Sequence, residues 1–208
     1  MAGLREAQKE MTRRRLLATA LELFEAKGYA ATTVDDIAAA AGTTRVTFYA
    51  YFPSRSDLMR ALIGELNEAL ERIVSPTHGS TARALVAVVR EGSREKIAEW
   101  LHATASRWDS VRPYLNAAFE AAALDPELRG LVDAWLEEAI SDIEEGLAQA
   151  GRFEPETRHF RGVLAMSQLD HVARNWTPGR WNVDREQLVR VLAESWANLL
   201  TDEADPRP

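Results

Sequence analysis

Hydrophobic residues recur near the N-terminus with the spacing of short amphipathic helices. Val34, Ile37, Ala38 and Ala41 lie at i, i+3, i+4 and i+7, which predicts a helix with a narrow apolar stripe. Gly42 follows the stripe and can take the left-handed conformation that ends a helix. The pattern therefore predicts a short helix, a glycine turn and a second helix directly after it.

The second helix of this pair has one apolar face and one polar face. Phe48 and Phe52, four residues apart, are expected to pack in a core shared with the first helix. The outward positions are Thr44, Arg45, Thr47, Tyr49 and Tyr51. One anchored face and one free face are what a helix-turn-helix needs to enter the major groove of DNA.

Polar residues mark the start of the first helix of the pair. Thr32 or Thr33 can act as its N-cap, because a threonine hydroxyl accepts a hydrogen bond from an unpaired backbone N–H. Asp35 and Asp36 follow in the first turn, where carboxylates complement the positive end of the helix dipole.

The same periodicity continues on both sides of this pair. It predicts a preceding helix over Thr12–Lys27 and a following helix, capped by Ser54 or Ser56, whose stripe extends to Ile73. A loop at residues 75–80 separates this connecting helix from the rest. Further helices are predicted over Thr81–Arg90, Arg94–Trp108, Val111–Ala123, Pro126–Gln149, Pro155–Asn175 and Arg185–Asp202.

Strand-like alternation is absent, so the predicted fold class is all-α. The expected domains are an N-terminal three-helix helix-turn-helix domain at 1–53 and a larger helical regulatory domain at 54–208, which includes the connecting helix. The predicted breaks between helices are Gly92-Ser93, Asp125-Pro126, Gly151 and residues 177–179.

Composition and charge restrict the function. The chain has 208 residues and no Cys, which excludes disulfides and thiol chemistry, and no stretch approaches the roughly 20 apolar residues of a membrane span. We therefore expect a cytoplasmic protein. The net charge is −7, yet residues 1–60 contain nine Lys or Arg and seven Asp or Glu, while the remainder carries −9. Affinity for phosphates depends on local basic surface, so this balance is compatible with DNA binding.

A set of short motifs resembles the DNA-binding domain of the TetR family of transcriptional regulators. The motifs are Asp36-Ile37-Ala38, Ala41-Gly42, Thr47-Phe48-Tyr49-Ala50-Tyr51-Phe52 and Pro53-Ser54-Arg55 through Leu58, preceded by Phe24-Glu25-Ala26-Lys27-Gly28-Tyr29. They cover roughly the first quarter to third of the chain. One departure is Thr43, where the family usually has an apolar residue in the turn.

Geometry and the matching motif positions together imply DNA contacts for eight residues: Thr33, Thr44, Arg45, Val46, Thr47, Tyr49, Tyr51 and Arg55. Arg45 is the candidate for a bidentate contact with a guanine edge, and the Val46 methyls could meet a thymine methyl. Thr44 and Thr47 can bond bases or phosphates, and the other four are assigned to phosphates. Tyr49 and Tyr51 could instead pack against the head. Arg13, Arg14 and Arg15 could reach phosphates or form a solvated helix face.

The resemblance also implies a small-molecule pocket in the helical body. The candidate lining residues are Trp100, His102, Trp108, Tyr114, Phe119, Trp135, Met166, Asp170 and His171, with Gln168 as a further polar group. They suggest a largely apolar effector. The alternative is that these aromatic residues form ordinary core.

The resemblance further implies a homodimer built from the last two long helices. Their apolar faces are Phe160, Val163, Leu164 and Val172 on one helix, and Leu188, Val191, Leu192, Trp196, Leu199 and Leu200 on the other. Two such pairs would form a four-helix bundle across a two-fold axis. The alternative is that both faces close the core of the monomer.

No pattern in the chain favours catalysis. The four His are scattered at 78, 102, 159 and 171, and the HExxH, GxSxG and glycine-rich phosphate motifs are absent, so we expect no enzyme activity, cofactor or metal. The resulting hypothesis is a repressor released from an inverted-repeat operator in double-stranded DNA by a small molecule. The alternative is a regulator with no ligand, whose body serves dimerisation or a protein partner.

Overall fold

The protein is described by a computed structural model covering residues 2–74 and 80–202. Within these residues the chain forms ten α-helices and one two-stranded antiparallel ladder. The first four helices are α1 (Ala2–Lys27), α2 (Val34–Ala40), α3 (Arg45–Tyr51) and α4 (Arg55–Ala69). The strands are β1 (Ile73–Val74) and β2 (Ser80–Thr81), with Ile73 opposite Thr81. The others are α5 (Arg83–Glu91), α6 (Arg94–Ala105), α7 (Trp108–Leu124), α8 (Pro126–Gln149), α9 (Pro155–Asn175) and α10 (Arg185–Leu200).

These elements confirm the all-α class, since the two strands contain only two residues each. The chain divides into two compact units, each made of two stretches. Unit 1 comprises residues 1–69 and 113–132, and unit 2 comprises residues 70–112 and 133–208. The predicted domain boundary at residue 53 stays a prediction. No helix in the described part of the chain combines the length and hydropathy needed to cross a membrane.

Unit 1 contains the predicted helix-turn-helix pair. Its core is formed by apolar side chains of α1, α2, α3 and α4 that are at most 3% exposed: Leu16, Leu17, Ala20, Phe24, Ile37, Ala38, Phe48, Leu58, Met59, Leu62 and Leu66. This set follows the predicted stripes, because each helix buries the residues that recur every three or four positions. The backbone N–H of Tyr29 donates to Glu120 of α7 at 2.8 Å, which ties the α1–α2 loop to that helix.

Unit 2 contains close approaches between helices. A Cβ added at Gly146 of α8 would lie 2.8 Å from the Val89 side chain, and one added at Gly162 of α9 would lie 3.0 Å from the Ile140 carbonyl oxygen. Glycine permits this close packing because it has no side chain. On α10, Trp196 is fully buried and its indole N–H donates to the Ala165 carbonyl at 3.2 Å.

Several predicted boundaries are confirmed, and others are wrong. The bounds of α8 and α9 are those predicted, and the breaks at Gly92, Gly151 and Gly179 all have positive φ. The connecting helix ends at Ala69, four residues before the predicted Ile73. Glu71 has a φ of 56°, outside the helical range. Ile73, which was predicted to lie in the connecting helix, therefore lies in β1.

Other helix ends also differ from the predicted bounds. α1 begins at Ala2, ten residues before the predicted Thr12. The predicted Arg94–Trp108 helix ends at Ala105, and α7 begins at Trp108 with Pro113 inside it. α10 ends at Leu200, before the predicted Asp202, since Thr201 is extended. The predicted interdomain loop lies mostly outside the described residues.

Candidate nucleic-acid interface

The turn between α2 and α3 is held by backbone hydrogen bonds. Gly42 has a φ of 64°, its N–H donates to Ala39 at 3.0 Å, and the N–H of Thr43 donates to Ala38 at 2.9 Å. This paired pattern is the Schellman motif that ends helices at a left-handed residue. Backbone hydrogen bonds therefore close the turn with a threonine at position 43, where the resembled family usually has an apolar residue.

Thr44 caps the N-terminus of α3. Its hydroxyl accepts from the backbone N–H of Thr47 at 3.2 Å, and the two threonine hydroxyls are 3.0 Å apart. Phe48 is fully buried and Phe52 is 3% exposed, as predicted. The helix is thus anchored on one face, and its orientation is set by that burial.

The opposite face of α3 is open. Val46 is 81% exposed and Tyr49 is 42% exposed, while Thr44 and Arg45 are also exposed and Thr47 and Tyr51 are half-buried. An exposed valine on this seven-residue helix is available for contact with another molecule. The structure therefore brings six of the eight predicted DNA-contact residues onto one short helix and its cap.

Arg45 is held by side chains of two helices. Its Nη1 donates to the Asp35 carboxylate of α2 at 2.8 Å, and its Nη2 donates to the Tyr49 hydroxyl at 3.4 Å. The guanidinium also lies 5.5 Å from the centre of the Tyr49 ring. The hydrogen bond to Tyr49 and the charge of Asp35 raise the pKa of Arg45 further, so the group remains a cation.

Thr33 is the N-cap of α2 and forms a capping box with Asp36. The Thr33 hydroxyl accepts from the Asp36 N–H at 3.1 Å and donates to its carboxylate at 2.7 Å. Lys27 of α1 binds the same carboxylate at 2.8 Å. The hydrogen bonds from Lys27 and Thr33 hold the pKa of Asp36 well below its ordinary value. Thr32, the other predicted cap, is buried and its hydroxyl donates to the Gly28 carbonyl at 2.8 Å.

Arg55 at the start of α4 is turned towards the α1–α2 loop. Its guanidinium lies 4.0 Å from the centre of the Tyr29 ring, and Nη1 donates to the carbonyl oxygens of Tyr29 and Thr32. Sequence reasoning missed this role because Arg55 and Tyr29 are far apart along the chain. A guanidinium has five N–H donors, so the predicted phosphate contact would use the Nε and Nη2 groups.

The three consecutive arginines of α1 have different surroundings. Arg13 lies 5.5 Å from the centre of the Phe52 ring, Arg14 pairs with Glu10 at 2.9 Å, and Arg15 is exposed. Both predicted roles of the cluster, phosphate contact and solvated face, stay predictions.

The nine predicted pocket residues divide between the units. Tyr114 and Phe119 belong to unit 1, and the Tyr114 hydroxyl donates to Glu65 at 3.2 Å. The seven in unit 2 are Trp100, His102, Trp108, Trp135, Met166, Asp170 and His171. Trp100 stacks on Trp196 with ring centres 5.6 Å apart, and the Arg72 guanidinium lies 5.2 Å from the centre of the Trp135 ring.

The polar members of the predicted pocket have local contacts. Asp170 accepts two hydrogen bonds of 3.0 Å from Nε of Arg174, its neighbour one turn along α9. His102 and His171 are exposed, and the His171 ring lies 6.3 Å from that of Trp181. Gln168 is half-buried. Within residues 2–74 and 80–202, no group of three or more His, Asp or Glu side chains could hold a metal ion.

Unit 2 has an open groove of about 550 Å³ beside the start of α10. Its lining residues are Trp176, Pro178, Gly179, Asn182, Val183, Asp184 and Arg185. None of the nine predicted pocket residues lines this groove, although Trp108 packs on Trp176 with ring centres 6.1 Å apart.

The α2–turn–α3 arrangement, with its buried Phe48 and its exposed outer face, defines a helix-turn-helix module. Residues 16–62 match the family model described as bacterial regulatory proteins, tetR family, which confirms the resemblance seen in the sequence. The match begins within α1 and ends within α4.

Two named regulators are similar to part of the chain. The chain is 32% identical over 127 residues to the transcriptional regulator TcmR of Streptomyces glaucescens, covering 56% of each chain. It is 49% identical over 51 residues to the regulator EthR of Mycolicibacterium smegmatis, covering 24% of each. The matched region thus spans from about a quarter to just over half of these relatives.

Similarity of fold extends over nearly the whole chain. The crystal structure of NalD, the secondary repressor of a multidrug efflux pump in Pseudomonas aeruginosa, superposes with a TM-score of 0.68. The match covers 94% of this chain and 99% of NalD at 20% identity, so it shows the fold alone.

Proposed function

We propose that this protein is a sequence-specific transcriptional regulator that binds double-stranded DNA through α3 in the cytoplasm. The observation that carries the proposal is the outer face of α3, where Arg45 and the 81% exposed Val46 project from a helix anchored by the buried Phe48. A guanidinium pairs well with a guanine edge, and an exposed valine methyl suits a thymine methyl. The net charge of +2 over residues 1–60 favours approach of this part of the chain to phosphates.

The protein acts as a homodimer in this proposal. Three large apolar side chains of the last two helices support it: Phe160, Leu164 and Val191 are 61%, 39% and 67% exposed. Two copies that pair these helices would carry two α3 helices to an inverted repeat, with half-sites about 34–36 Å apart.

Selection from random duplex DNA tests this function. The unmodified protein should enrich an inverted repeat whose half-site centres are about 10–10.5 base pairs apart, or a multiple of that spacing. Failure to enrich any sequence at low salt would overturn the proposal. Enrichment of a single site without symmetry would retain DNA binding and overturn the dimeric arrangement.

Arg45→Ala tests the residue assignment. The variant should lose preference at one base pair in each half-site and weaken binding by about 1–3 kcal/mol, because the bidentate contact is removed. Titration against the selected duplex and against duplexes changed at each position measures both effects. Unchanged affinity together with unchanged preference would show that Arg45 does not contact a base.

The regulator is a repressor that a largely apolar small molecule releases from DNA. The resemblance to the family and the concentration of all six Trp after residue 99 support an effector in the helical body. Binding of the effector would move α4 and change the separation of the two α3 helices, so that the two states differ in operator affinity.

A thermal-shift screen followed by DNA titration tests this mechanism. An effector should raise the unfolding temperature and lower operator affinity. Equal operator affinity with and without every stabilising compound, at all salt concentrations, would favour a regulator whose body serves dimerisation or a protein partner.

A further inference from the structure

Asp35 links the first helix of the module to the arginine proposed to contact a base. Its carboxylate accepts from Nη1 of Arg45 at 2.8 Å, and Tyr49 accepts from Nη2 at 3.4 Å. The guanidinium is therefore held from α2 and from the next turn of α3 before any DNA is present.

The contribution of this ion pair to folding stability is small. Arg45 and Asp35 have side chains that are 59% and 62% exposed, and ion pairs with such exposure contribute little to the free energy of unfolding. The start of α2 is already capped by Thr33 and Asp36. A carboxylate at position 35 also complements the dipole of α2, but that role does not require the contact with Arg45.

The pair does restrict the direction of the Arg45 side chain. A free arginine side chain samples many rotamers, and part of that entropy is lost when it binds a base. Two of its five N–H donors are engaged by Asp35 and Tyr49, and three remain for the two acceptors of a guanine edge. Holding the group before binding reduces the entropy lost on binding.

The same carboxylate opposes binding that does not depend on sequence. A negative charge on the surface that carries Arg45 repels phosphates of every duplex equally, whereas orientation of Arg45 helps only where a guanine is present. Both effects of Asp35 raise the ratio of specific to non-specific affinity.

We propose that Asp35 is a specificity-determining positioning residue, which orients the Arg45 guanidinium for a guanine edge and weakens sequence-independent binding. The proposal rests on the proposed DNA-binding function. Asp35 acts on base recognition through Arg45, without contacting a base itself, and on sequence-independent binding through its own charge.

The test compares Asp35→Asn with the unmodified protein on three duplexes: the selected site, the same site with the contacted guanine replaced, and a random sequence. Asparagine keeps the size of the side chain and removes its charge. Affinity for the random duplex should rise several-fold, and discrimination against the replaced guanine should fall about tenfold. The gain on the random duplex should shrink as the salt concentration rises, because the repulsion that the substitution removes is electrostatic and screened by salt.

Glu25→Gln is the matched control. Glu25 is an exposed carboxylate on α1, so this change removes the same charge from unit 1 without touching the Arg45 contacts. It should leave discrimination against the replaced guanine at the unmodified level. In the Arg45→Ala background, Asp35→Asn should cause no further loss of discrimination, because its effect acts through Arg45. Circular dichroism and thermal unfolding verify that α2 remains folded.

The outcomes separate this inference from the proposed function. Enrichment of a site by the unmodified protein, with Asp35→Asn leaving discrimination unchanged, overturns the role of Asp35 alone. An increase in discrimination would also overturn it, because Asp35 would then be withholding Arg45 from DNA. If the unmodified protein enriches no site, the proposed function fails and the role of Asp35 fails with it.

Discussion

At the scale of single residues, the charged side chains of the helix-turn-helix module have distinct tasks. Asp36 completes the capping box of α2 and binds Lys27, whereas its neighbour Asp35 binds Arg45 of α3. Adjacent positions of a helix point about 100° apart, so two aspartates in one turn can serve different partners. Arg55 stabilises the loop before α2 by packing on Tyr29.

The lowered pKa of Asp36 predicts how the stability of the module depends on pH. A carboxylate whose pKa is lower in the folded state stabilises that state above its unfolded pKa, and the stabilisation is lost as the pH falls through the folded pKa. The unfolding temperature of the unmodified protein should therefore exceed that of Asp36→Asn by a constant amount at neutral pH. The difference should shrink as the pH falls below the ordinary Asp value of 3.8.

Lys27→Met provides the control for this prediction. The hydrogen bond from Lys27 is the largest cause of the lowered pKa, so in this background the pH-dependent part of the Asp36→Asn effect should be much smaller. A difference between the unmodified protein and Asp36→Asn that persists unchanged into acid would contradict the assignment.

At the scale of elements, the distance between two packed helices depends on whether a glycine lies at their contact. α8 contains two glycines with opposite surroundings. A Cβ at Gly146 would meet the Val89 side chain at 2.8 Å and the Val86 carbonyl oxygen at 2.9 Å, so α5 packs against the backbone of α8 there. A Cβ at Gly130 would meet nothing within 4 Å.

Alanine substitution at these two glycines should change stability in opposite directions. Gly146→Ala forces α5 away from α8 and should lower the free energy of unfolding by about 1–3 kcal/mol. Gly130→Ala adds no contact and should raise it by up to about 1 kcal/mol, because alanine favours the helix over the unfolded chain. Chemical denaturation of both variants measures the two effects. A stabilising effect at Gly146 would show that the close packing is absent in solution.

At the scale of the whole molecule, the last two helices have both buried and exposed apolar residues. Leu192, Trp196 and Leu200 are at most 6% exposed, so part of the predicted stripe closes the core of the monomer. Phe160 and Val191 remain largely exposed. The buried residues fit the alternative in which these faces close the monomer core. The exposed residues leave an apolar surface that the proposed dimer would use.

Phe160→Asp should disrupt the proposed dimer without unfolding the chain, because this side chain is 61% exposed in the monomer. Sedimentation equilibrium should give a mass near that of one 23.2 kDa chain for the variant, and twice that mass for the unmodified protein. Affinity for an inverted repeat should fall by about tenfold or more, since the two half-sites are then bound independently.

Leu124→Asp is a control of the same type, because Leu124 is 59% exposed on α7 and lies outside the predicted dimer faces. It should leave mass and operator affinity unchanged. A variant at Phe160 that still sediments as a dimer would place the dimer contact elsewhere.

The sequence by itself determined the features that depend on neighbours within one or two helical turns. Thr33, one of the two predicted caps of α2, accepts from the backbone N–H of Asp36, three positions along the chain. The glycine turn at Gly42 depends on one residue that tolerates positive φ. Local signals of this kind act in the same way whatever the rest of the chain does, and they were sufficient to predict the all-α class and the helix-turn-helix pair.

Only the tertiary structure decided which distant side chains meet. Asp35 and Arg45 are ten positions apart, Tyr29 and Arg55 are 26 apart, and Tyr29 and Glu120 are 91 apart. The apolar stripe of α10 likewise does not reveal that Trp196 is buried while Val191 is exposed. Such pairings depend on how whole helices pack, because burial and contact arise when the chain brings separated segments together, and periodicity along one helix carries no information about its partner.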